Sequence, residues 1–245
     1  MHSDKSSKVR EVFKKIDMKD VKILCKYPLP KGVKLKDFII AEKEENKKEC
    51  IIGLGDCGID IVENIIKDNS DYFSLMADIS HRNLNKLDAE YKLYLMGDVK
   101  DKEMLTLENR RTLSEFVRAH KKVYIVTRLD NDLNQSHVVD KIVQHLNRIK
   151  RDVVLIVIKP FLFELPPYRV ELIEQILQNN KSYVNRLIVF DSQELLALKE
   201  VRNLSMKESF RYFDKIIKDV IENNDRFNHE KVVNINLIEV FNERE

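Results

Sequence analysis

From residue 49 onward, short apolar runs alternate with amphipathic stretches. The runs are Cys50–Leu54, Tyr72–Asp78, Lys92–Met96, Val123–Leu129, Val153–Phe161 and Leu187–Phe190. Several are apolar without interruption, VVLIVI at Val153–Ile158 being the clearest, and such runs suit parallel strands covered on both faces. Between them, Leu113, Phe116 and Val117 share one helical stripe. So do Val138, Val139, Ile142, Val143 and Leu146, and so do Val170, Ile173, Ile176 and Leu177. A longer amphipathic stretch places Met206, Phe210, Phe213, Ile217, Val220 and Ile221 on one face. Strand alternating with helix predicts an α/β fold: a doubly wound, mostly parallel six-stranded sheet with helices on both faces, Rossmann-like. Ligands of such sheets bind beyond the carboxyl ends of the strands, where strand order reverses. Val232 to Phe241 reads as one more strand or as a docked extension.

Residues 1–48 lack this regularity and read as a charged N-terminal extension to a domain over 49–245. Val9, Val12, Phe13 and Ile16 predict a short amphipathic helix there, and Pro28, Pro30 and Gly32 break regular structure. The extension either packs on the main domain or serves as a partner-binding arm.

Charge sharpens the picture. The 245 residues carry 43 Lys+Arg against 41 Asp+Glu, net +2, and this balance argues against a dedicated nucleic-acid binder. No apolar run approaches the roughly 20 residues of a membrane span, and the first residues lack an apolar signal core. Cys25, Cys50 and Cys57 are odd in number and lack metal-ligand spacing, so they read as reduced thiols of a cytoplasmic protein. The six histidines are scattered and imply no metal.

The candidate chemistry concentrates in ECIIGLGDCGIDIVENII, Glu49–Ile66, which holds Gly53, Gly55 and Gly58, three of the chain's five glycines. Strand, Gly-rich turn and helix in that order direct backbone N–H groups and a helix N-terminus at a phosphate. The same spacing also suits a tight strand-to-helix turn with no ligand. Asp78 lies 20 residues after Gly58, where a dinucleotide-binding enzyme keeps its ribose-binding acid. Phe210 and Phe213 read as core or as a ligand platform. Asp214, an acid on that apolar face, calls for a partner.

Taken in order, these segments resemble the nucleotide-binding domain of the tubulin/FtsZ superfamily. CIIGLGDCGIDIVENI is similar to the first strand and phosphate loop, FSLMADISHRNL to the second strand and its turn, and KLYLMG to the third strand. VYIVTRLDNDLNQS falls where the central glycine-rich signature belongs. VIKPFLFE, Val157–Glu164, resembles the fifth strand and following loop, RLIVFDSQELL the sixth strand and guanine-side loop, and SFRYFDKII the start of the central helix.

What the resemblance implies is a GTP/GDP site formed by Gly53, Gly55, Asp56, Cys57 and Gly58 on the phosphate side. Glu164 and Arg169 would contact ribose and phosphate. Phe210 would pack on guanine, and Asp214 would accept from its N1 and N2 donors. That last pairing matches one carboxylate to two parallel N–H groups.

This chain departs from the family pattern where phosphates would sit. The signature loop, GGGTGTG or close to it in the family, is replaced by Leu129 to Ser136 (LDNDLNQS) without a glycine. The loop at Asp98–Thr106 also lacks one, and Asp56 stands where glycine is usual. Two carboxylates, Asp130 and Asp132, would repel a polyphosphate by on the order of several kcal/mol before screening. Losing two charge-assisted bonds at roughly 1.5–3 kcal/mol each lowers affinity by about two to four decades. Ser192 replaces the usual guanine-contacting Asn. Near the end, Ile235-Asn236-Leu237 resembles the start of the family's hydrolytic acidic loop, but Ile238 and Phe241 stand where its acids are expected.

The expectation is a divergent protein that binds GTP or GDP weakly or not at all, a pseudo-GTPase with no assigned catalytic residue and an undecided need for magnesium. It would act through protein contacts, with itself or an FtsZ-like filament, in a cell-division or other cytoskeletal process. The alternatives are an active FtsZ-type GTPase and a NAD-binding protein using Gly53, Gly55, Gly58 and Asp78.

Overall fold

β1, Glu49–Leu54, is buried over its last five residues and runs straight into α1, Gly55–Asp68. A computed structural model describes residues 49–68, 72–95, 105–129, 133–198, 201, 204–222 and 231–235. The extension over residues 1–48, the loop residues Asp130–Asp132, the 98–104 part of the second loop and residues 236–245 lie outside this set, as does the Phe210 side chain.

The remaining elements are β2 Tyr72–Asp78, α2 His81–Lys86, β3 Lys92–Tyr94, α3 Leu107–Phe116, β4 Lys122–Arg128, α4 Leu133–Arg148 and β5 Asp152–Lys159. They continue with α5 Pro167–Lys181, β6 Arg186–Asp191, α6 Met206–Glu222 and β7 Val232–Ile235. Short 3₁₀ helices follow β5 at Leu162–Glu164 and β6 at Ser192–Ala197. β5 stops at Lys159, before Pro160, which has no N–H to extend the ladder.

The strands form one sheet in the order β3-β2-β1-β4-β5-β6-β7, every described pair parallel. Six strands were expected from the sequence. The seventh is the four-residue Val232–Ile235 beside β6. Its apolar alternation is too short to separate a strand from a docked segment by pattern alone.

Side chains on the two faces of the sheet enter two distinct cores. On one face, Cys50, Ile52, Leu75 and Leu155 pack with Leu113 and Phe116 of α3, Val139 and Ile142 of α4, and Ile173 and Ile176 of α5. On the other, Ile51, Met76, Val126 and Ile156 pack with Ile59 and Ile65 of α1, Leu84 of α2, and Phe213 and Ile217 of α6. Phe213 is therefore core, and its ring meets Phe190 edge-on at 5.8 Å. The sheet order reverses between β1 and β4, and α1 leaves the carboxyl end of β1 at that point.

Candidate functional site at the α1–α6 cleft

Two backbone constraints fix the opening turn of α1. Gly55 has φ of 71°, in the left-handed region where a side chain is strained. Gly58 presses on β4, so that a Cβ there would lie 2.2 Å from the Val126 carbonyl oxygen. Gly53 and Gly58 thus bring helix and sheet together from beneath, and neither lines the open space above.

That open space is a cleft of about 720 Å³ between α1 and α6, lined also by Arg128, the last residue of β4. Asp56, Cys57, Asp60 and Asn64 come from α1, Arg128 from β4, and Arg211 and Asp214 from α6. Asp56, Asp60, Asn64 and Lys67 recur at helical spacing and form one stripe along α1. The Asn64 amide donates to Asp214 Oδ2 at 2.6 Å, which supplies the partner that an acid on an apolar face requires. Lys67 at the far end of the stripe pairs with Glu63 at 3.8 Å.

The first turn of α1 carries Asp56, exposed at the mouth of the cleft. The Asn83 amide donates to Asp56 Oδ1 and lies 3.4 Å from Asp78 Oδ2. Asn83 is itself fixed: its N–H donates to the Ser80 hydroxyl that caps α2, and Ser80 N–H donates to Asp78 Oδ1 at 2.9 Å. Asp78 is 4% exposed and does not line the cleft. Its carboxylate serves the β2–α2 turn.

Arg128 and Glu164 form an ion pair, and Glu164 Oε2 also accepts the Phe161 N–H at 2.9 Å. Glu164 thereby stands behind Arg128 instead of lining the cleft. Arg169 sits in α5, 9% exposed, with its guanidinium 5.7 Å from the Tyr168 ring, and it too is outside the cleft lining. Ser192 is fully buried, its hydroxyl without a hydrogen-bond partner among the described residues.

Of the residues singled out from sequence, the structure gathers Asp56, Cys57 and Asp214 into the cleft, keeps Gly53, Gly55 and Gly58 beneath it, and sets Glu164 and Arg169 aside. Sequence reasoning missed Asp60, Asn64, Arg128 and Arg211. The four-residue spacing of Asp56, Asp60 and Asn64 was a usable signal, but it reads equally as a solvated helix face until the opposing helix is known. Among the described residues no cluster of His, Cys, Asp and Glu is arranged to hold a metal ion. Nor does any described helix have the length and apolarity to cross a membrane.

No protein-family profile and no curated protein sequence matches the chain. Solved structures do. An empty FtsZ dimer from M. jannaschii superposes with a TM-score of 0.58 at 16% identity, over 77% of this chain and 58% of that one. The fold is tubulin/FtsZ-like. A GTPγS-bound protofilament of CetZ2 from Haloferax volcanii gives 0.57 at 13% identity, over 71% of this chain and 57% of that one. CetZ from Methanosaeta thermophila gives 0.56 at 15%, over 74% and 54%. The chain thus spans less than two thirds of the length of each of these structures. The sheet order alone would also suit a dinucleotide-binding fold; the superpositions identify the tubulin/FtsZ-like arrangement.

Proposed function

We propose that this chain is a divergent tubulin/FtsZ-like guanine-site protein that binds GTP or GDP weakly or not at all and acts through protein contacts. Those contacts are with itself or with a filament-forming relative, in a cytoskeletal process of the cell-division type. The observation that carries the reading is Asp214, held by Asn64 in a cleft at the carboxyl edge of a tubulin/FtsZ-like sheet. A carboxylate fixed in that position can accept the paired N–H donors of guanine. Self-association is supported by the dimeric and protofilament forms of the FtsZ and CetZ2 structures.

Hydrolysis is assigned to no residue. The glycine-free segment after Leu129 and the acid at Asp56 weaken the phosphate half of the site, so any GTPase activity is expected to be low. Against the NAD-binding alternative stands the burial of Asp78 and its engagement with Ser80 and Asn83.

Calorimetric titration of nucleotide-stripped protein with GTP, GDP, ATP and NADH, magnesium present, tests the reading. Guanine-selective heat that Asp214→Ala abolishes supports it. NADH binding that Asp78→Ala abolishes replaces it with the dinucleotide reading. Silence for all four removes nucleotide from the account and leaves protein partners.

A further inference from the structure

Three turns stand side by side at the amino edge of the sheet, where β4, β5 and β6 begin. They carry six bases: Arg118 and Lys121 before β4, Arg148, Lys150 and Arg151 before β5, and Lys181 before β6. Hydrogen bonds lock the turns together. The Arg151 guanidinium donates to the Arg118 carbonyl at 3.3 Å, the Asp152 N–H to the Lys121 carbonyl at 2.8 Å, and the Asn147 amide to the Tyr183 carbonyl at 2.7 Å. Among the described residues two acids answer the bases. Glu115 lies 3.7 Å from Arg118, and Asp152 lies 3.5 Å from Lys121. The Arg118 and Lys121 side chains are still 70% and 83% exposed, and exposed pairs of this kind are weak.

Arg148 and Lys181 end α4 and α5, where a cation suits the helix dipole, so the fold accounts for them. It does not account for Lys150. That residue has φ of 59°, the left-handed conformation in which glycine or asparagine usually closes a helix. A lysine sits there against the backbone preference, and it is exposed.

Sequence outside the described residues adds base to this edge. Residues 1–48, 69–71 and 223–230 lead toward β1, β2 and β7 at the same edge, and together they hold fifteen Lys and Arg against eleven Asp and Glu. Within them Val9, Val12, Phe13 and Ile16 are interleaved with Lys8, Arg10, Lys14 and Lys15. Apolar and basic residues in one stretch suit the headgroup boundary of a lipid layer. Duplex DNA would instead be read by a helix or β-ribbon entering a groove, and the six described bases stand on turns and helix ends.

We propose that the amino edge of the sheet docks on an anionic lipid surface, with Lys121 and Lys150 as contact bases. The proposal is independent of the guanine reading, since none of the six bases lines the α1–α6 cleft.

The test is co-sedimentation of the full chain with vesicles of phosphatidylcholine alone, or with about one-third phosphatidylglycerol added. The protein is expected to pellet only with the anionic vesicles and to be released as salt rises. Lys121→Gln combined with Lys150→Gly is expected to weaken that partition roughly tenfold or more, each base near such a surface being worth several-fold. Lys86→Gln combined with Lys215→Gln removes the same charge from exposed positions on α2 and α6. That pair is expected to change the partition by less than about twofold, because charge more than a Debye length from the lipid is screened. Lys150→Gly alone is expected to bind less yet melt no lower than wild type, since glycine takes the left-handed conformation without strain. A purely structural role for Lys150 would not give that combination.

Failure to pellet with the anionic vesicles overturns the proposal. So does equal weakening by the two double variants, which would reduce the effect to net charge. Tighter binding of random-sequence duplex DNA than of the vesicles at the same salt overturns lipid as the partner and makes the edge a nucleic-acid surface.

Discussion

Asn64 and Asp214 are 150 positions apart in the chain and meet at 2.6 Å across the α1–α6 cleft. The contact ties the helix that opens the domain to the long helix near its end, so it belongs both to the fold and to the ligand site. A partly buried hydrogen bond to a carboxylate contributes roughly 1.5–3 kcal/mol. Asp214→Ala and Asn64→Ala are each expected to lose about that much in chemical denaturation, and the double mutant little more than either. Fully additive losses would show that the pair is not coupled.

The α1 turn gives a harder test. Gly58→Ala places a methyl group 2.2 Å from the Val126 carbonyl oxygen, on backbone that cannot step aside. It should cost several times the roughly 1–2 kcal/mol of strain expected for Gly55→Ala at φ 71°. Thermal melts of the two variants, ranked against wild type, check the order.

Stability is expected to fall on mild acidification. His120, stacked on Phe73 at 5.0 Å, has its pKa lowered from the ordinary 6.5 by burial and by Arg151. His145 is lowered by burial as well, opposed by the hydrogen-bonded backbone of Arg110 and reinforced by the charges of Arg110 and Arg148. In both, the unfolded chain binds the proton more readily. The contribution is therefore full above pH 6.5 and is lost as pH falls through the lowered folded values. Denaturation at pH 8 and pH 5.5 measures the slope, and His120→Phe is expected to reduce it by as much as about one proton. An unchanged slope would take His120 out of the account.

Thiol chemistry should separate the two described cysteines. Cys50 is fully buried, and burial alone drives its pKa far above the ordinary thiol value. Cys57 is half-buried and lines the cleft. In a Cys25→Ser background, iodoacetamide is expected to modify Cys57 in the native protein and Cys50 only after denaturation. A ligand in the cleft should slow the first reaction. Equal labelling of both thiols by mass spectrometry would contradict the burial.

Much of this architecture could be read from the sequence, because the core elements obey simple periodicities. Uninterrupted runs such as Val153–Ile158 became central parallel strands, and the stripes at Val138–Leu146 and Val170–Leu177 became α4 and α5. Asp214 was recognisable as an acid in need of a partner, yet Asn64 was not recognisable as that partner. Pairing across 150 residues is set by how helices pack on the sheet, which no local pattern records. Glu164 and Arg169 lie outside the cleft lining for a related reason. Their motif positions say nothing of Arg128, which claims Glu164, or of the packing that buries Arg169 in α5.

The sheet also divides the molecule energetically. Its two faces enter separate cores, one with α3, α4 and α5, the other with α1, α2 and α6. His120, Phe73 and Phe116 stack on the first side, while the cleft draws on the second. The wall between them is hydrogen-bonded backbone, which is stiff and offers few alternative packings. Damage on the α3–α5 side should therefore lower global stability while leaving the affinity of surviving native molecules unchanged. The cleft is insulated, and substitutions on opposite faces can be combined as independent terms.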